Sequence, residues 1–430
     1  MNKNILMVCY YYPPLRDVGC KRSVAFSKYF KKHGWTPYVL SVKNPDKSYC
    51  ALGNGRPREG VHTKYSYSLV NLTRVIGLTN SLLTRVLKLF GFTPKCNYIH
   101  NMFCIPDQFW GWIPLTTIKG KDLIRKTHID LIYVSCTPMS SALIGVLLKL
   151  FTGKPLVIDF RDPFAIEYVF SILGVPEFRR RIDRSIQRFL LKMSDIFIVN
   201  NEETEEIYIK EYPEAKGKTF SVHNGFDSDF LIQTNGKKFA KFTVVYTGEF
   251  YWYALKSKFF FEALSLLKSA GKINSTNFQF IFHGEGNDEI ERVARDNGIE
   301  DLVIASPRIP YKDVLNVLSK SHLQLLRIVK PMISTKLFEG IPLNVPFLAT
   351  IPHGEVEGII KEYSPSSYIV TEDSAAKVAD AILDAMAKYK GNEIQDNRIR
   401  EFLNSFSREN LTLKLMNIIE QKLDHQGRGQ

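Results

Sequence analysis

The sequence predicts two consecutive α/β domains, each a doubly wound parallel sheet covered by helices. Apolar runs of strand length alternate with helix-length segments, and the runs are apolar on successive residues, as in strands buried on both faces. The chain of 430 residues is also too long for one core of usual size. We expect a first domain over 1–228, a second over 229–405, and a helical segment, 406–430, that packs back on the first domain.

The first elements form a βαβ unit. The apolar run "NILMVCYYYPP" predicts a buried strand, and "TPYVLSV" supplies the next one. Between them, helical spacing links four apolar residues, namely Ala25, Phe26, Tyr29 and Phe30. Gly34 is placed to end this helix in a left-handed cap. Such a unit within about 40 residues predicts a parallel sheet.

The alternation continues to the end of both domains. Four further runs complete the first sheet: "IDLIYVSC", "KPLVIDF", "SDIFIVN" and "TFSVHN". After the polar stretch 233–238 come "FTVVYTG", "NFQFIFHG", "LVIAS", "HLQLLRI", "VPFLAT" and "SYIV". We place a hinge near 226–240. Ligands bind at the carboxyl ends of parallel strands, so we expect the function in a cleft between the domains.

The net charge limits the classes of partner that the protein can bind, and the cysteine pattern indicates its cellular compartment. A net charge of +13 attracts phosphate in nucleic acid, anionic lipid or substrate. Lysine and arginine are spread along the chain with no zinc spacing or basic zipper, so we expect no nucleic-acid partner. The six cysteines form no CxxC pair, and we find no secretion signal or long apolar run. We expect a cytoplasmic protein.

The segment "RIVKPMISTKLFEGIPLNVPFLAT" carries the strongest chemical signal. Ser334, Thr335 and Lys336 begin a short helix, whose backbone N–H groups and dipole favour a diphosphate. Glu339 follows in the same helix, and its carboxylate suits ribose hydroxyls. An ordinary capped amphipathic helix has the same pattern, so these residues alone leave both interpretations open.

The chain resembles the family 4 retaining glycosyltransferases of the GT-B fold, which have two Rossmann-like domains facing across a cleft. The resemblance covers nearly the full length and rests on motif order: the first strand with its Gly19 loop, "DFRDPF" at 159–164, "VHNGFD" at 222–227, "VVYTG" at 244–248 and "STKLFEG". It implies transfer of a sugar from a nucleotide diphosphate donor to a hydroxyl, with retention of configuration. We expect no cofactor, and no metal ion at the leaving diphosphate.

The resemblance also implies donor contacts, with two departures. Glu249 follows Gly248 where many members have arginine, and Pro331 stands where the first of two glutamates is usual. Lys256 and Lys258 are left as candidates for the diphosphate, with solvated surface lysines as the alternative. By the same resemblance three further residues lie near the nucleoside or base: Gly284, Gly286 and Arg308.

The segment "VIDFRDPF" ends a buried strand with three charged residues, Asp159, Arg161 and Asp162. Buried charges are costly unless they pair or meet a substrate. Arg161 stands where many members have histidine, so we expect acceptor binding from it, and we expect Asp162 to assist the acceptor hydroxyl. An internal Arg–Asp salt bridge is the alternative. Gly19 permits close approach of substrate, or only a tight turn.

Two helical segments of the first domain favour a membrane surface. One places six apolar residues on a single face (Val75, Ile76, Leu83, Val86, Leu87 and Phe90), with Arg74, Arg85 and Lys88 elsewhere. The other aligns Arg181, Arg184, Arg188 and Lys192. A core-facing helix and a solvated basic face are the alternatives. Family members commonly use a lipid-linked acceptor, so we expect a polyprenyl-diphosphate-linked glycan at the inner face of the bacterial plasma membrane, for surface polysaccharide.

Three other functions remain open at this point. A nucleotide-sugar epimerase has a similar two-domain architecture. A catalytically inactive regulatory homologue would agree with Pro331 and Glu249. A basic nucleic-acid-binding protein would agree with the charge alone.

Overall fold

The computed structural model describes residues 3–16, 19–46, 51–52, 60–70, 73–90, 98–230, 237–250, 259–328, 332–389 and 396–427. Two compact units divide the chain: Met1–Asn224 with Arg408–Gln430, and Gly225–Ser407. The candidate donor residues Lys256 and Lys258, and Pro331, lie outside the described residues. No described helix is both long and apolar enough to cross a membrane.

The first unit contains a parallel sheet whose described strands are β1 (Lys3–Cys9), β3 (Trp35–Val42), β5 (His62–Ser66), β6 (Leu131–Cys136), β7 (Leu156–Phe160), β8 (Ile196–Val199) and β9 (Thr219–Ser221). Their order is β5–β3–β1–β6–β7–β8–β9. Strand β1 lies between β3 and β6, and its residues from Ile5 on are fully buried, which explains the continuous apolar run. Strand β5, which is a polar strand at the edge of the sheet, is not predicted from the sequence. Two short strands, β2 (Leu15–Arg16) and β4 (Ala51–Leu52), pair antiparallel.

Nine helices of the first unit lie within the described residues: α1 (Cys20–Lys32), α2 (Thr73–Leu89), α3 (Tyr98–Phe103), α4 (Ile113–Thr127), α5 (Met139–Thr152), α6 (Glu167–Leu173), α7 (Glu177–Met193), α8 (Glu202–Glu211) and the last helix of the chain, Arg408–Gly427. Helix α1 ends before Gly34, whose φ of +86° is the left-handed conformation predicted for it. In the last helix Leu411, Leu415 and Ile419 share one core with Phe26 and Phe30 of α1. This helix therefore belongs to the first unit.

The second unit contains a parallel sheet formed by β10 (Phe242–Thr247), β11 (Phe278–His283), β12 (Val303–Ser306), β13 (Leu323–Arg327), β14 (Phe347–Thr350) and β15 (Tyr368–Val370). Its order, among the described residues, is β12–β11–β10–β13–β14–β15. The described helices between and after these strands are α9 (Phe259–Ser269), α10 (Asn287–Asp296), α11 (Tyr311–Lys320), α12 (Thr335–Gly340), α13 (Glu355–Tyr363), α14 (Ala375–Lys388) and α15 (Asp396–Phe406), so that the last helix of the chain is α16. The predicted α/β fold with two parallel sheets is confirmed.

The apolar residues that helix α2 exposes differ from the residues predicted to face lipid. Ile76 is buried and Leu83 and Leu87 are half-buried, because they turn toward the protein. The outward residues are Leu78, Leu82, Val86 and Leu89, with 66%, 64%, 41% and 84% exposed, followed by Phe90 at 74%. Of the predicted set, Val86 and Phe90 do face outward. Steps of four, four and three residues place the first four in one stripe. The side chains of Arg74 and Val75 lie outside the described residues. We call Leu78, Leu82, Val86 and Leu89 the apolar stripe.

The basic residues predicted to form one face of α7 are partly paired with carboxylates of the protein. Arg181 pairs with Glu177 at 3.1 Å, Arg184 with Glu167 at 2.5 Å, and Lys192 lies 3.9 Å from Glu214. Arg188 is exposed. Because paired guanidinium groups have less charge to offer a headgroup, α7 follows the solvated-face alternative more closely than the membrane one.

Candidate active site

Two glycine loops meet at the carboxyl edge of the second sheet. Gly248 directly follows β10, has φ of +99°, and its N–H donates to the carbonyl oxygen of His283 at 2.8 Å. Gly284 directly follows β11, and a Cβ on it would lie 1.8 Å from the carbonyl oxygen of Gly248. The first position needs glycine for its backbone angle, and the second needs it for space. The loops therefore pack backbone against backbone.

Lys336 of α12 extends to the same edge. Its Nζ lies 3.6 Å from where a Cβ of Gly248 would be and 4.8 Å from the centre of the Tyr246 ring. Burial lowers the pKa of Lys336, while the charges of Glu339 and Glu249 oppose that effect. A partly buried ammonium beside a glycine loop is a suitable contact for a phosphate oxygen.

The start of α12 is closed by its own cap. The Ser334 hydroxyl accepts a hydrogen bond from the Lys336 N–H at 3.3 Å, and the Leu337 N–H donates to the Ser334 carbonyl at 3.1 Å. Serine is among the best N-cap residues, so the sequence satisfies these amides locally. The Lys336 N–H, which we had assigned to a diphosphate, is already engaged. The role of Thr335 at this helix start stays a prediction, and the Lys336 side chain becomes the main cation there.

Acidic residues surround this cation. Partial burial and the charge of Glu285 raise the pKa of Glu249, whereas Arg308 and Lys336 lower it. Arg308 Nε lies 3.1 Å from the Glu285 carboxylate. The carboxylate of Glu249, in the position where the resemblance led us to expect arginine, opposes phosphate binding. Among the other predicted contacts, Gly286 has φ of +84° and is the N-cap residue that precedes α10.

Glu339 lies on α12, three residues after Lys336. Its side chain is buried, and its charge acts to raise the pKa of Lys336. The structure thus brings Gly248, Gly284, Lys336 and Glu339 to neighbouring positions in the second unit. The predicted ribose contact of Glu339 stays a prediction.

The charged residues at the carboxyl end of β7, in the first unit, have different environments. Asp159 is fully buried, and its two oxygens accept hydrogen bonds from Arg22 Nε at 2.7 Å and Nη2 at 3.0 Å. The Tyr133 hydroxyl also donates to Asp159. Arg22 Nη1 donates to the carbonyls of Val222 and His223. The internal salt bridge that we considered is present, but its arginine is Arg22 rather than Arg161, and the bridge gives Asp159 a structural role.

Arg161 and Asp162 lie nearer the surface. The Arg161 guanidinium packs on Gly19, where a Cβ would be 2.5 Å from Nη1, and lies 5.5 Å from the centre of the Tyr11 ring. Gly19 has φ of −59°, so glycine is favoured at this position by the limited space around it and not by the backbone angle. A protein side chain therefore makes the close approach that we had assigned to substrate. Asp162 is exposed in the loop after β7.

The described residues contain no group of three His, Cys, Asp or Glu side chains that could hold a metal ion. The chain has an Asp-x-Asp sequence at Asp227 and Asp229, and the Asp227 carboxylate accepts a hydrogen bond from the Asp229 N–H at 3.2 Å. Independence from metal stays a prediction.

Comparison with known families assigns the activity class. A family model described as Glycosyltransferase Family 4 matches residues 97–230, and a model described as Glycosyl transferases group 1 matches residues 241–388. The first range lies in the first unit except for residues 225–230, and the second range lies within the second unit. The protein is a glycosyltransferase. No curated protein sequence matches the chain.

Solved structures show the fold of this glycosyltransferase to be GT-B. Sucrose-phosphate synthase from Thermosynechococcus elongatus matches with a TM-score of 0.68 and 14% identity, over 99% of this chain and 100% of that one. The lipopolysaccharide outer core galactosyltransferase WaaB matches with a TM-score of 0.57 and 12% identity, over 97% and 99%. TarM from S. aureus, in a complex with UDP, matches with a TM-score of 0.59 and 11% identity, over 97% and 99%. At these identities the likeness concerns the fold alone.

Two polar residues of β13 in the glycosyltransferase are not among the site residues predicted from the sequence. Arg327 ends this strand, its guanidinium lies 4.4 Å from the centre of the Phe259 ring, and it lies 3.5 Å from Asp373. The Gln324 Nε2 donates to the carbonyl of Lys336 at 3.3 Å and so ties α12 to the sheet. The available signal was two polar residues, three positions apart, in an otherwise apolar run.

Proposed function

We propose that the enzyme moves a sugar from a nucleotide diphosphate donor to a hydroxyl of a lipid-linked glycan, with retention of anomeric configuration, in bacterial surface polysaccharide synthesis. The observation that carries the donor assignment is the ammonium of Lys336 beside the Gly248 loop. Negative charge develops on the leaving diphosphate, and a fixed cation next to a glycine loop stabilises it more in the transition state than in the ground state.

The remaining roles follow from position. Glu339 binds the donor ribose, and Gly284 and Gly286 lie near the nucleoside. Arg161 binds the acceptor and Asp162, exposed after β7, assists its hydroxyl. The WaaB and TarM likenesses support a surface glycan and a uridine nucleotide as the first substrates to test.

The donor is tested by thermal shift against UDP-, GDP-, ADP- and TDP-sugars, because a ligand that binds only the native state raises the melting temperature. We expect one nucleotide series to stabilise the protein and Lys336→Ala to raise its Kd about 10- to 100-fold, since charge-assisted hydrogen bonds contribute about 1.5–3 kcal/mol. Lys272→Ala, an exposed lysine before β11, is the matched control. Equal donor affinity in both variants would remove the donor assignment.

We propose that the apolar stripe of α2 lies in the membrane interface next to this acceptor. The stripe is flanked by Arg85 and Lys88, both exposed, which suit anionic headgroups. Burying an exposed leucine side chain contributes about 1.5–3 kcal/mol, so two or three such residues outweigh a modest charge contribution.

Co-sedimentation with anionic liposomes tests this contact. We expect the wild-type protein to bind and a Leu82→Glu, Leu89→Glu variant to lose binding. Leu266→Glu, which alters a similarly exposed leucine of the second unit, should bind normally. Absence of wild-type binding at low salt would contradict the proposal.

One observation favours a second candidate, a catalytically inactive homologue. The Glu249 carboxylate lies near Lys336 and weakens its attraction for phosphate. Measured sugar transfer or donor hydrolysis would exclude this candidate, and donor binding without either would support it.

A further inference from the structure

Arg161 carries a positive charge that no carboxylate of the described residues pairs with. Its Nη2 donates to the carbonyl oxygen and hydroxyl of Thr137 at 3.2 and 3.3 Å. Its Nε is buried without a hydrogen-bond partner. A guanidinium has five N–H donors, and both of these bonds are long and go to neutral oxygens. The charge is thus incompletely satisfied.

The neighbouring acids do not supply the missing partner. Asp159, two residues earlier, has both oxygens engaged by Arg22. Asp162, the next residue, is exposed. An unpaired guanidinium that is partly withdrawn from water costs free energy unless an anion arrives from outside.

The guanidinium is also held in place for a ligand. It packs on Gly19 and near the Tyr11 ring, and the Asn200 side chain donates to the Arg161 carbonyl at 2.6 Å. These contacts fix the main chain and the planar group without neutralising its charge. A preorganised fork loses little freedom when it binds a two-oxygen anion.

We propose that Arg161 forms an anion subsite, so that the acceptor of this enzyme carries a phosphate or carboxylate near its reacting hydroxyl. The proposal rests on the proposed function, which assigns the acceptor to the first unit. Two sources share the required chemistry: the diphosphate of a lipid linkage, or an acidic group on the accepting sugar. Both present paired oxygens that match the guanidinium fork.

The test uses the Arg161 Nε–H signal in NMR spectra of the full chain labelled with ¹⁵N-arginine, assigned by its loss in Arg161→Lys. Sodium phosphate, pyrophosphate and glucuronate are titrated at constant ionic strength, with chloride as the reference salt. We expect a saturable shift with at least one anion. A stronger response to pyrophosphate identifies a lipid diphosphate, and a stronger response to glucuronate identifies an acidic sugar.

Calorimetry with the same probes separates a binding role from a structural one. Arg161→Lys keeps the charge and loses the fork, so anion affinity should fall about 10-fold, whereas Arg125→Ala, an exposed arginine of α4, should be unchanged. No saturable shift with any of the anions, or equal affinity in the lysine variant, overturns the subsite. Donor-induced thermal stabilisation of Arg161→Lys is measured in parallel. Loss of this stabilisation would contradict the proposed function, which places Arg161 at the acceptor, and is thereby distinguished from failure of the anion subsite alone.

Discussion

The charged residues at the carboxyl edges of the two sheets differ in how far the protein neutralises them. In the first unit Asp159 and Arg22 form a buried pair with further bonds to Tyr133 and backbone carbonyls. In the second, Lys336 stays partly accessible beside Gly248, and Glu249 remains exposed. A charged residue at such an edge is therefore available to a ligand only where the protein has not already neutralised it. Asp159 and Arg161, two positions apart, fall on opposite sides of that criterion.

The largest expected effect concerns the buried pair. Asp159→Asn leaves the Arg22 charge buried without its partner, which should lower the free energy of unfolding by about 3–5 kcal/mol. Asp162→Asn, at an exposed position in the loop after β7, should change it by less than about 0.5 kcal/mol. Urea denaturation followed by circular dichroism measures both. Similar costs for the two variants would show that Asp159 is not the structural residue we describe.

A smaller effect is expected from the glycines of the two edges. Gly284→Ala brings a methyl group against the backbone oxygen of Gly248, which cannot move without shifting β10, and should cost about 1–3 kcal/mol. Gly19→Ala meets only the end of the Arg161 side chain, so its cost should be below about 1 kcal/mol. Thermal unfolding of the two variants tests this order. If Gly19→Ala proved the costlier change, displacing the end of the Arg161 side chain would cost more than shifting the Gly248 backbone.

The smallest effect concerns Glu249. Removing its charge in Glu249→Gln should tighten donor binding about 3- to 10-fold, because a nearby carboxylate repels the diphosphate through partly screened charge. The pKa of Glu249 is raised, so in the wild-type protein its charge is lost earlier as pH falls, and donor affinity should rise toward that pKa. The pKa of Lys336 is lowered, so affinity should fall at alkaline pH in both proteins. Calorimetric titration across pH should show the acidic rise in the wild-type protein only.

Much of the architecture was predictable because a buried strand has a locally apolar sequence. Apolar runs identified every strand of the two sheets except β5, whose sequence "HTKYS" is mostly polar. The loop glycines Gly248 and Gly284 were also predictable, since both directly follow predicted strands. The chemistry of "STKLFE" was only partly predictable: the sequence located the helix, but the Ser334 cap engages an amide that we had reserved for a ligand.

The two parallel sheets and the positions of the loops at their carboxyl edges could be predicted from the amino-acid sequence, because periodicity and turn residues act over short distances. Which charges are satisfied and which helix faces are covered became visible only in the folded protein. The partner of Asp159 is 137 residues away in the chain, and the apolar stripe of α2 differs from the predicted face by a rotation that depends on packing. Such pairings are set by contacts between distant segments, and no local pattern encodes them.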